Sequence, residues 1–436
     1  MIVQYFKQAW HQARTNVTYT LLYVTGVTLT MLFVMVMAIV LYVRIAPVYP
    51  ETNRPNTMYI TSLMLKRDQM SMSGNIGQWA YKELFSKLEN VENMTLVTNQ
   101  DRAFCKSTDG TDDFELKVKF VRDGFFKIYD FDFLAGRKFT EEENSTETGK
   151  VSIITDRLAD RLFGGPGHAI GQTITVDRYD TTIVGVVRSA SYLTSDSYAD
   201  MYRPMGEQYY SGKPGIRDAT GGSRVVLTTR DASQAEALGK EFATMLDKAN
   251  NSDLVDDGDT RWEIRVDSQP MAHWRRALNP DVHSSDGSRI VWLYVVIILV
   301  LMIVPAINLS GLIGGRMDTR LSELGIRKTY GATRSSIMRQ VIFENLLLTF
   351  IGAVAGMAGA WILVSSCRRW IFSIFDPNPA AIPDWVDVSL NGDMMFAPAL
   401  FAVMLVICLA VNLLSAIVPA WIYMRKPIVG ALYEKR

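Results

Sequence analysis

Four long stretches of this chain contain no charged residue. They extend over Leu21–Val43, Ile290–Ile313, Leu346–Cys367 and Met394–Met424. Each is long enough to cross the roughly 30 Å hydrocarbon core of a bilayer as a helix, and buried helices of soluble proteins rarely stay free of charge for so long. The pattern predicts four membrane-spanning helices, at residues 17–45, 289–314, 342–367 and 394–424.

The interval between the first two apolar stretches has the pattern of a folded domain. Residues 114–121 alternate apolar and polar side chains, with Phe114, Leu116, Val118 and Phe120 on one face, as in a half-buried strand. Asp231 is placed to cap a helix that ends near Asn250. Further elements are predicted as strands at 56–65, 224–229 and 261–266, and as a helix at 78–89.

These elements group into two lobes. Two strand–helix–strand units lie at the two ends of the interval, and a segment rich in short strands and turn glycines separates them. We therefore predict an α+β lobe formed by residues 46–122 and 223–275, with a β-rich lobe inserted at 123–222. The fold class is an integral membrane α-helical protein with a large α+β extracytoplasmic domain (46–288) inserted between helices 1 and 2.

Charge gives the predicted helices an orientation. Residues 44–288 hold 30 Lys and Arg against 37 Asp and Glu, whereas the short flanks of the apolar stretches are basic. Short basic flanks stay in the cytoplasm. Residues 1–16, which we interpret as an interfacial helix, the loop 315–341 and the tail 425–436 are thus predicted inside, and the loop 368–393 outside.

Chemistry-bearing motifs are sparse. The four histidines (His11, His168, His273, His283) are scattered without metal-ligand spacing, and no nucleophile elbow occurs. Cys105 is the one cysteine of the predicted outer domain, so it has no intramolecular disulfide partner there. No GxxxxGK[ST] phosphate loop occurs either. We expect no enzymatic activity, metal or cofactor in this chain.

The loop 315–341, which we call the basic hairpin, has sequence signals for two helical segments joined by a turn. Arg320, Glu323 and Arg327 fall on one face of a helix, Gly331 stands where a left-handed C-terminal residue belongs, and Thr333 can cap the next helix. Two interpretations are equally compatible with these residues. The hairpin is either an amphipathic elbow lying on anionic headgroups or a docking surface for a cytoplasmic protein.

The same region resembles the transmembrane subunits of MacB/FtsX-like ABC transporters. The matching residues are Asn308, Arg320, 323–328, Gly331, Ala332, Ile337, Phe343 and Glu344, followed by Pro419, Ala420, Pro427, Ala431 and Leu432. The outer domain resembles the periplasmic core domain of that family at Phe125, Phe126, Phe131, Phe133, Leu134, Gly136, Arg137, Phe139, Val151, Ile153, Ile154, Ala159, Leu162, Phe163, Gly164, Ile170, Gly171 and 183–187. The resemblance extends over nearly the whole chain.

The resemblance implies that the basic hairpin couples the permease to a nucleotide-binding subunit. Since this sequence carries no phosphate loop, we expect ATP and Mg to be bound by a separate ABC ATPase subunit. The implied coupling residues are Arg320, Glu323, Leu324, Gly325, Arg327, Lys328, Gly331 and Ala332.

Other partners follow from the same resemblance. A second permease copy or a paralogue is expected, and a periplasmic adaptor and an outer-membrane channel are further candidates, together with membrane lipids and without nucleic acid. The small-residue face of Gly352, Gly356 and Gly359 predicts close helix packing. The expected location is the bacterial inner membrane, with both termini in the cytoplasm.

Two classes of function remain open. The chain is either the permease of a MacB-like exporter, which transmits ATP-driven motion to its outer domain and so moves a peptide, drug or similar substrate, or an FtsX-like regulator of an extracytoplasmic partner. A lipoprotein-release permease is a further alternative. The size of the outer domain favours export.

Overall fold

The structure is a computed structural model of the chain. It describes residues 14–98, 101–106, 113–122, 124–145, 150–205, 215–258, 260–265, 270–278, 287–319, 329–331, 333–374, 388–395 and 397–425, with residues 7, 10, 11, 326 and 386. The chain divides into two compact units. We call Met1–Tyr42, Arg289–Pro379 and Met394–Arg436 the membrane unit, and Val43–Ser288 with Ala380–Asp393 the outer unit.

Four long helices supply the membrane unit. In chain order, these apolar helices are Val17–Ile45, Gly287–Thr319, Arg334–Ile374 and Pro398–Arg425. The first, third and fourth are long and apolar enough to cross a membrane, whereas the apolar stretch found in the described part of the second is the shorter Trp292–Ile303. The third begins eight residues before its predicted span because Thr333 caps it, through a 3.2 Å hydrogen bond from the Ser336 amide to Oγ1.

The first and third apolar helices pack at backbone distance. A Cβ placed on Gly352 would lie 2.9 Å from the Cβ of Val27, and one on Gly356 would lie 2.5 Å from the carbonyl oxygen of Thr28. The hydroxyl of Thr28 donates to the Gly352 carbonyl at 3.2 Å. The small residues of the third helix therefore serve contact with the first helix of the same chain.

Polar side chains are buried inside the membrane unit. The hydroxyls of Tyr23 and Thr349 lie 2.9 Å apart and join the first and third helices. Asn345 and Asn412 are buried and donate to carbonyls one turn earlier in their own helices. Side-chain and backbone hydrogen bonds of this kind satisfy polar groups where no water is available.

One mixed sheet organises the outer unit. Its strands are Thr57–Ile60, Ser62–Arg67, Met70–Ile76, Asn93–Thr98, Asp101–Lys106, Asp113–Val121, Phe133–Gly136, Val151–Thr155, Thr173–Val176, Tyr179–Val187, Met201–Pro204, Thr220–Gly221, Ser223–Thr228, Glu263–Arg265 and Met271–Ala272. A separate pair is formed by Asp256–Asp257 and Thr260–Arg261.

Helices cover this sheet. The α-helices of the outer unit are Gln78–Glu83, Phe125–Ile128, Glu141–Ser145, Asp156–Phe163, Pro166–Ala169, Ala232–Asn250 and His273–Leu278. The short helix Gly392–Met395 begins in the outer unit and ends with residues of the membrane unit. Single 3₁₀ turns lie at Arg54–Asn56, Phe85–Lys87, Ile216–Ala219 and Asp253–Val255.

Several sequence predictions are confirmed in the outer unit. The strand at 113–121 and the helix capped by Asp231 are present, and the Gln234 amide donates to the Asp231 carboxylate at 2.9 Å. The helix predicted at 78–89 ends sooner, at Glu83, and a 3₁₀ turn follows. The strand pairing does not stop at residue 122, where the predicted inserted lobe begins. Asp113–Val121, in the predicted α+β lobe, pairs in parallel with Met201–Pro204 of the inserted segment.

The glycine contact between the first and third helices generates a prediction. Gly356→Ala should lower the thermal stability of the detergent-solubilised chain by about 1–3 kcal/mol, since its Cβ would press on backbone. Gly359→Ala is the matched control, because its Cβ would meet only the tip of Leu32 at 3.2 Å. Equal melting temperatures for the two variants would contradict the packing.

Candidate functional site: the basic hairpin and a buried ionic junction

The described part of the basic hairpin has the local geometry that its sequence predicts. Gly331 adopts a φ of 88°, a left-handed conformation that follows the end of a helical turn. In that turn the Tyr330 amide donates to the Ile326 carbonyl at 3.2 Å. Ile326 and Tyr330 are one turn apart and are exposed, Tyr330 by 89%. The hairpin thus presents an aromatic and an aliphatic side chain to its surroundings.

Most of the proposed coupling residues lie outside the described residues. They are Arg320, Glu323, Leu324, Gly325, Arg327, Lys328 and Ala332. Gly331 is the member of that set which the structure describes, and Gly352, Gly356 and Gly359 lie in the third apolar helix.

A cluster of buried and partly buried polar and charged residues lies where the first apolar helix ends. We call it the ionic junction. Its members are Glu51, Arg54, Tyr59, Lys119, Asp196, Ser197, Arg224, His273 and Arg276.

Arg54 closes the end of the first apolar helix. Its Nη1 donates to the carbonyl oxygens of Val43 at 2.7 Å and Ala46 at 2.8 Å. Its Nε donates to Glu51 Oε2 at 2.8 Å, and both side chains are buried. The last carbonyls of a helix have no partner within the helix, and a cation there also opposes the helix dipole favourably. Arg54 and Glu51 together therefore satisfy a helix end.

Asp196 binds two arginines from different elements. Arg276, on the helix His273–Leu278, donates to Oδ2, and Arg224, on the strand Ser223–Thr228, lies 3.2 Å from Oδ1. Burial alone would raise the pKa of Asp196, but Arg276 and Arg224 outweigh it and hold the pKa below its usual range. Asp196 is thus a permanent carboxylate that fastens a helix to the sheet.

Lys119 binds the backbone on either side of the Asp196 amide. Its Nζ donates to the backbone carbonyls of Ser195 at 3.1 Å and Asp196 at 2.5 Å. Burial lowers the pKa of Lys119 to about 7, and the neighbouring Arg224 adds to that effect. The side chain therefore loses its charge near neutral pH while its hydrogen bonds remain possible.

His273 links the helix end to the sheet through both ring nitrogens. Nε2 lies 3.0 Å from the Arg44 carbonyl oxygen, and Nδ1 lies 3.1 Å from the Tyr59 hydroxyl. A carbonyl can only accept, so Nε2 carries the proton. Burial lowers the pKa of His273 to about 4, which leaves the ring neutral and Nδ1 free to accept from Tyr59.

The junction contains a possible metal-ligand set, since ligand atoms of Glu51, Asp196 and His273 lie within 4.8 Å of one another. These atoms are engaged by protein groups. Ser197 and Arg54 bind Glu51, two arginines bind Asp196, and both nitrogens of His273 have partners. Protein cations stand where a metal ion would have to stand, so we assign no metal to this cluster.

Sequence reasoning missed the ionic junction because its members are far apart in the chain. Arg54 is separated from Arg276 by more than two hundred positions, and each charge alone resembles a solvated surface residue. The local signal was the sequence His273-Trp274-Arg275-Arg276, which follows a predicted strand and precedes an apolar stretch. That signal indicates a polar contact without naming its partner.

The pKa of His273 generates a pH prediction. Between pH 6.5 and 4 the unfolded ring is protonated and the folded ring is neutral, so stability should fall as the pH falls through this window. The loss is at most about 1.4 kcal/mol per pH unit. Thermal unfolding followed by tryptophan fluorescence should show a shallower loss for His273→Gln, which keeps a donor and an acceptor.

The exposed His168→Gln is the matched control and should follow the wild-type pH curve. Parallel curves for wild type and His273→Gln would show that the His273 ring does not stay neutral in the folded chain.

Two family models match the chain in succession. Residues 20–245 match the MacB-like periplasmic core domain, and residues 295–428 match the FtsX-like permease C-terminal region. The first match covers nearly all of the first apolar helix and much of the outer unit, and the second covers most of the second apolar helix, the basic hairpin and the third and fourth helices.

Individual relatives agree with these models. The ABC transporter permease YknZ of Bacillus subtilis is 23% identical over 286 residues, which is 65% of this chain and 66% of that protein. The macrolide export ATP-binding/permease protein MacB of Bdellovibrio bacteriovorus is 24% identical over 54% of this chain and 34% of its own length. The pyoverdine export ATP-binding/permease protein PvdT of Pseudomonas savastanoi pv. phaseolicola is 22% identical over 55% and 35%. The chain thus spans just under two thirds of the first relative and about a third of the others.

Solved extracytoplasmic domains align at low similarity. The extracellular domain of YknZ aligns with 48% of this chain and 99% of its own at 15% identity and a TM-score of 0.30. The periplasmic region of MacB from Actinobacillus actinomycetemcomitans aligns with 49% and 89% at 15% identity and a TM-score of 0.32.

The core-domain model alone matches more than half of the chain, and the permease model follows it in the expected order. The chain therefore belongs to the MacB-like and FtsX-like family of ABC transporter permeases.

Proposed function

We propose that this chain is the permease subunit of a MacB-like ABC exporter. In this proposal a separate ATPase subunit binds ATP and Mg, closes on ATP, and displaces the basic hairpin. The observation that supports it most directly is the succession of a periplasmic core domain and an FtsX-like permease region in one chain. The relative YknZ is named as a permease, without an ATP-binding part, and this supports a separate ATPase subunit.

The basic hairpin is the proposed docking site. Exposed aromatic and aliphatic side chains on a basic loop suit a protein surface better than a solvated linker. Ile326 and Tyr330 supply such side chains, and Gly331 with Thr333 fixes the turn between two helical segments. We therefore add Ile326 and Tyr330 to the coupling set of Arg320, Glu323–Lys328, Gly331 and Ala332.

The proposed topology has four spans in a bacterial inner membrane. The helix Gly287–Thr319 is the second span in this proposal, and both termini and the basic hairpin are cytoplasmic. The basic flanks of the apolar stretches and the acidic excess of residues 44–288 support that orientation. The outer unit is then periplasmic or otherwise extracytoplasmic.

The proposed assembly contains two permeases, because ABC ATPase subunits act in pairs. The second permease is a copy of this chain or a paralogue, and a periplasmic adaptor with an outer-membrane channel would complete an export route. The relatives named for macrolide and pyoverdine export support a peptide, drug or similar substrate.

A second candidate function is regulation of an extracytoplasmic partner, as in FtsX-like proteins, and lipoprotein release is a variant of the export proposal. The match to the FtsX-like permease region is common to all of these. The match to the MacB-like periplasmic core domain favours export.

Docking at the hairpin generates a prediction. Tyr330→Ala removes an exposed side chain and should leave folding intact while lowering efflux and substrate-stimulated ATPase activity of the reconstituted complex at least tenfold. Gly331→Val, which strains a left-handed backbone position, and Glu323→Lys should act in the same way.

Controls come from exposed positions in the outer unit. Tyr179→Ala removes a tyrosine that is 70% exposed, and Gly392→Val adds a side chain where the neighbourhood is open. Both should keep wild-type efflux. If the hairpin variants keep efflux but alter cell-wall processing, the regulatory function is the correct one.

A further inference from the structure

A short polar turn lies at the centre of the ionic junction. We call residues Ser191–Ser197 the junction turn. The Thr194 amide donates to the Ser191 carbonyl at 3.0 Å, and the Ser197 amide donates to the Thr194 carbonyl at 3.1 Å. Ser191, Thr194, Asp196 and Ser197 are all buried. Connecting segments usually run over the surface, because a buried one must satisfy every polar group internally. This burial therefore needs a reason.

The first contact of the junction turn is with the end of the first apolar helix. The amide and hydroxyl of Ser197 donate to Glu51 Oε1 at 2.9 and 2.8 Å. The other oxygen of Glu51 binds Arg54, which caps the carbonyls of Val43 and Ala46. An unbroken chain of charge-assisted hydrogen bonds thus leads from the turn to the helix end.

The second contact is with the segment that leads to the second apolar helix. Asp196 binds Arg276, and Leu278, the last residue of that short helix, precedes the start of the second apolar helix at Gly287. Arg276 also lies over the ring of Tyr59, with its guanidinium carbon 4.2 Å from the ring centre. The turn is therefore fastened to chain segments on both sides of the long insertion.

The third contact is with the connection between the third and fourth apolar helices. The Ser191 hydroxyl donates to the Ser389 carbonyl at 2.5 Å. The same turn is fixed to the sheet, since Lys119 donates to the Ser195 and Asp196 carbonyls and Arg224 pairs with Asp196. Ser191, Asp196 and Ser197 thus contact one segment that follows the first apolar helix, one that precedes the second, and one between the third and the fourth.

We infer that the junction turn is the positioning element that fixes the C-terminal end of the first apolar helix to the sheet of the outer unit, with Asp196 as its central residue. The inference rests on the proposed function for its role in transport, but not for its structure. Separating the turn from its partners would leave the buried Asp196 carboxylate without its two arginines and the buried Glu51 carboxylate without two donors, which costs far more than bending an apolar contact. A displacement of the helix end is therefore passed to the sheet instead of being absorbed.

The test uses the full chain with its ATPase subunit in lipid nanodiscs. Hydrogen exchange of the strand Thr57–Ile60 is measured with and without ATP, alongside basal ATPase activity. Asp196→Asn should keep basal ATPase within about twofold and reduce the ATP-dependent change in exchange to less than a third of wild type. Asp132→Asn is the matched control, because Asp132 forms an exposed ion pair with Arg188, and it should behave as wild type.

If Asp196→Asn does not fold, a less disruptive variant and its control replace it. Ser197→Ala removes one hydrogen bond to Glu51 and should at least halve the ATP-dependent change, whereas Ser86→Ala, which removes an exposed hydrogen bond to the Lys82 carbonyl, should not. If Asp196→Asn folds and its ATP-dependent change in exchange equals that of wild type, the inference is overturned. If Asp196→Asn does not fold, an unchanged response of Ser197→Ala overturns it.

Failure of the proposed function has a separate signature. If the wild-type chain shows no ATP-dependent change in the outer unit, force transmission fails. The structural role of the turn is then decided without ATP. Asp196→Asn should speed hydrogen exchange at residues 41–45 at least tenfold. If only Ser197→Ala folds, the same increase is expected of that variant. Unchanged exchange at these residues overturns the inference.

Discussion

The end of the first apolar helix imposes the constraint on which the outer unit depends. The last carbonyl groups of any helix lack partners within it, and leaving them buried and unpaired is costly. Here Arg54 and His273 bind the carbonyls of Val43, Ala46 and Arg44. The carbonyls and the two side chains that bind them all belong to the outer unit, so the helix end is completed only when that unit has folded.

Binding these carbonyls with Arg54 buries a positive charge, and the other charged groups of the ionic junction are needed to compensate it. A buried arginine needs a carboxylate, which Glu51 supplies, and Glu51 needs further donors, which Ser197 supplies. Replacing such pairs by apolar residues is often neutral for stability, whereas removing one partner is strongly destabilising. The network is therefore weak evidence for a gain in stability and stronger evidence for a fixed geometry between the chain segments that it joins.

Sequence reasoning succeeded where the signal is local. Charge-free length located the apolar helices, Asp231 located a helix start, and the conformations of Gly331 and Thr333 followed from capping rules. It failed where the signal is tertiary. The pairing of Asp113–Val121 with Met201–Pro204 and the meeting of Asp196 with Arg276 depend on contacts across some eighty residues, and nothing in the local pattern selects one partner among many similar charges.

The first apolar helix is held in two physically different ways. Against the third helix it makes small-residue contacts at Gly352 and Gly356 and hydrogen bonds between hydroxyl and carbonyl groups. Such contacts are short-ranged and uncharged, and they depend on the close approach that small residues allow. At its outer end the bonds are charged, buried and shared among Arg54, Glu51 and Ser197. Breaking them would expose unpaired charge to a low-dielectric interior. The helix is therefore fixed by shape along its apolar length and by paired charge at its C-terminal end.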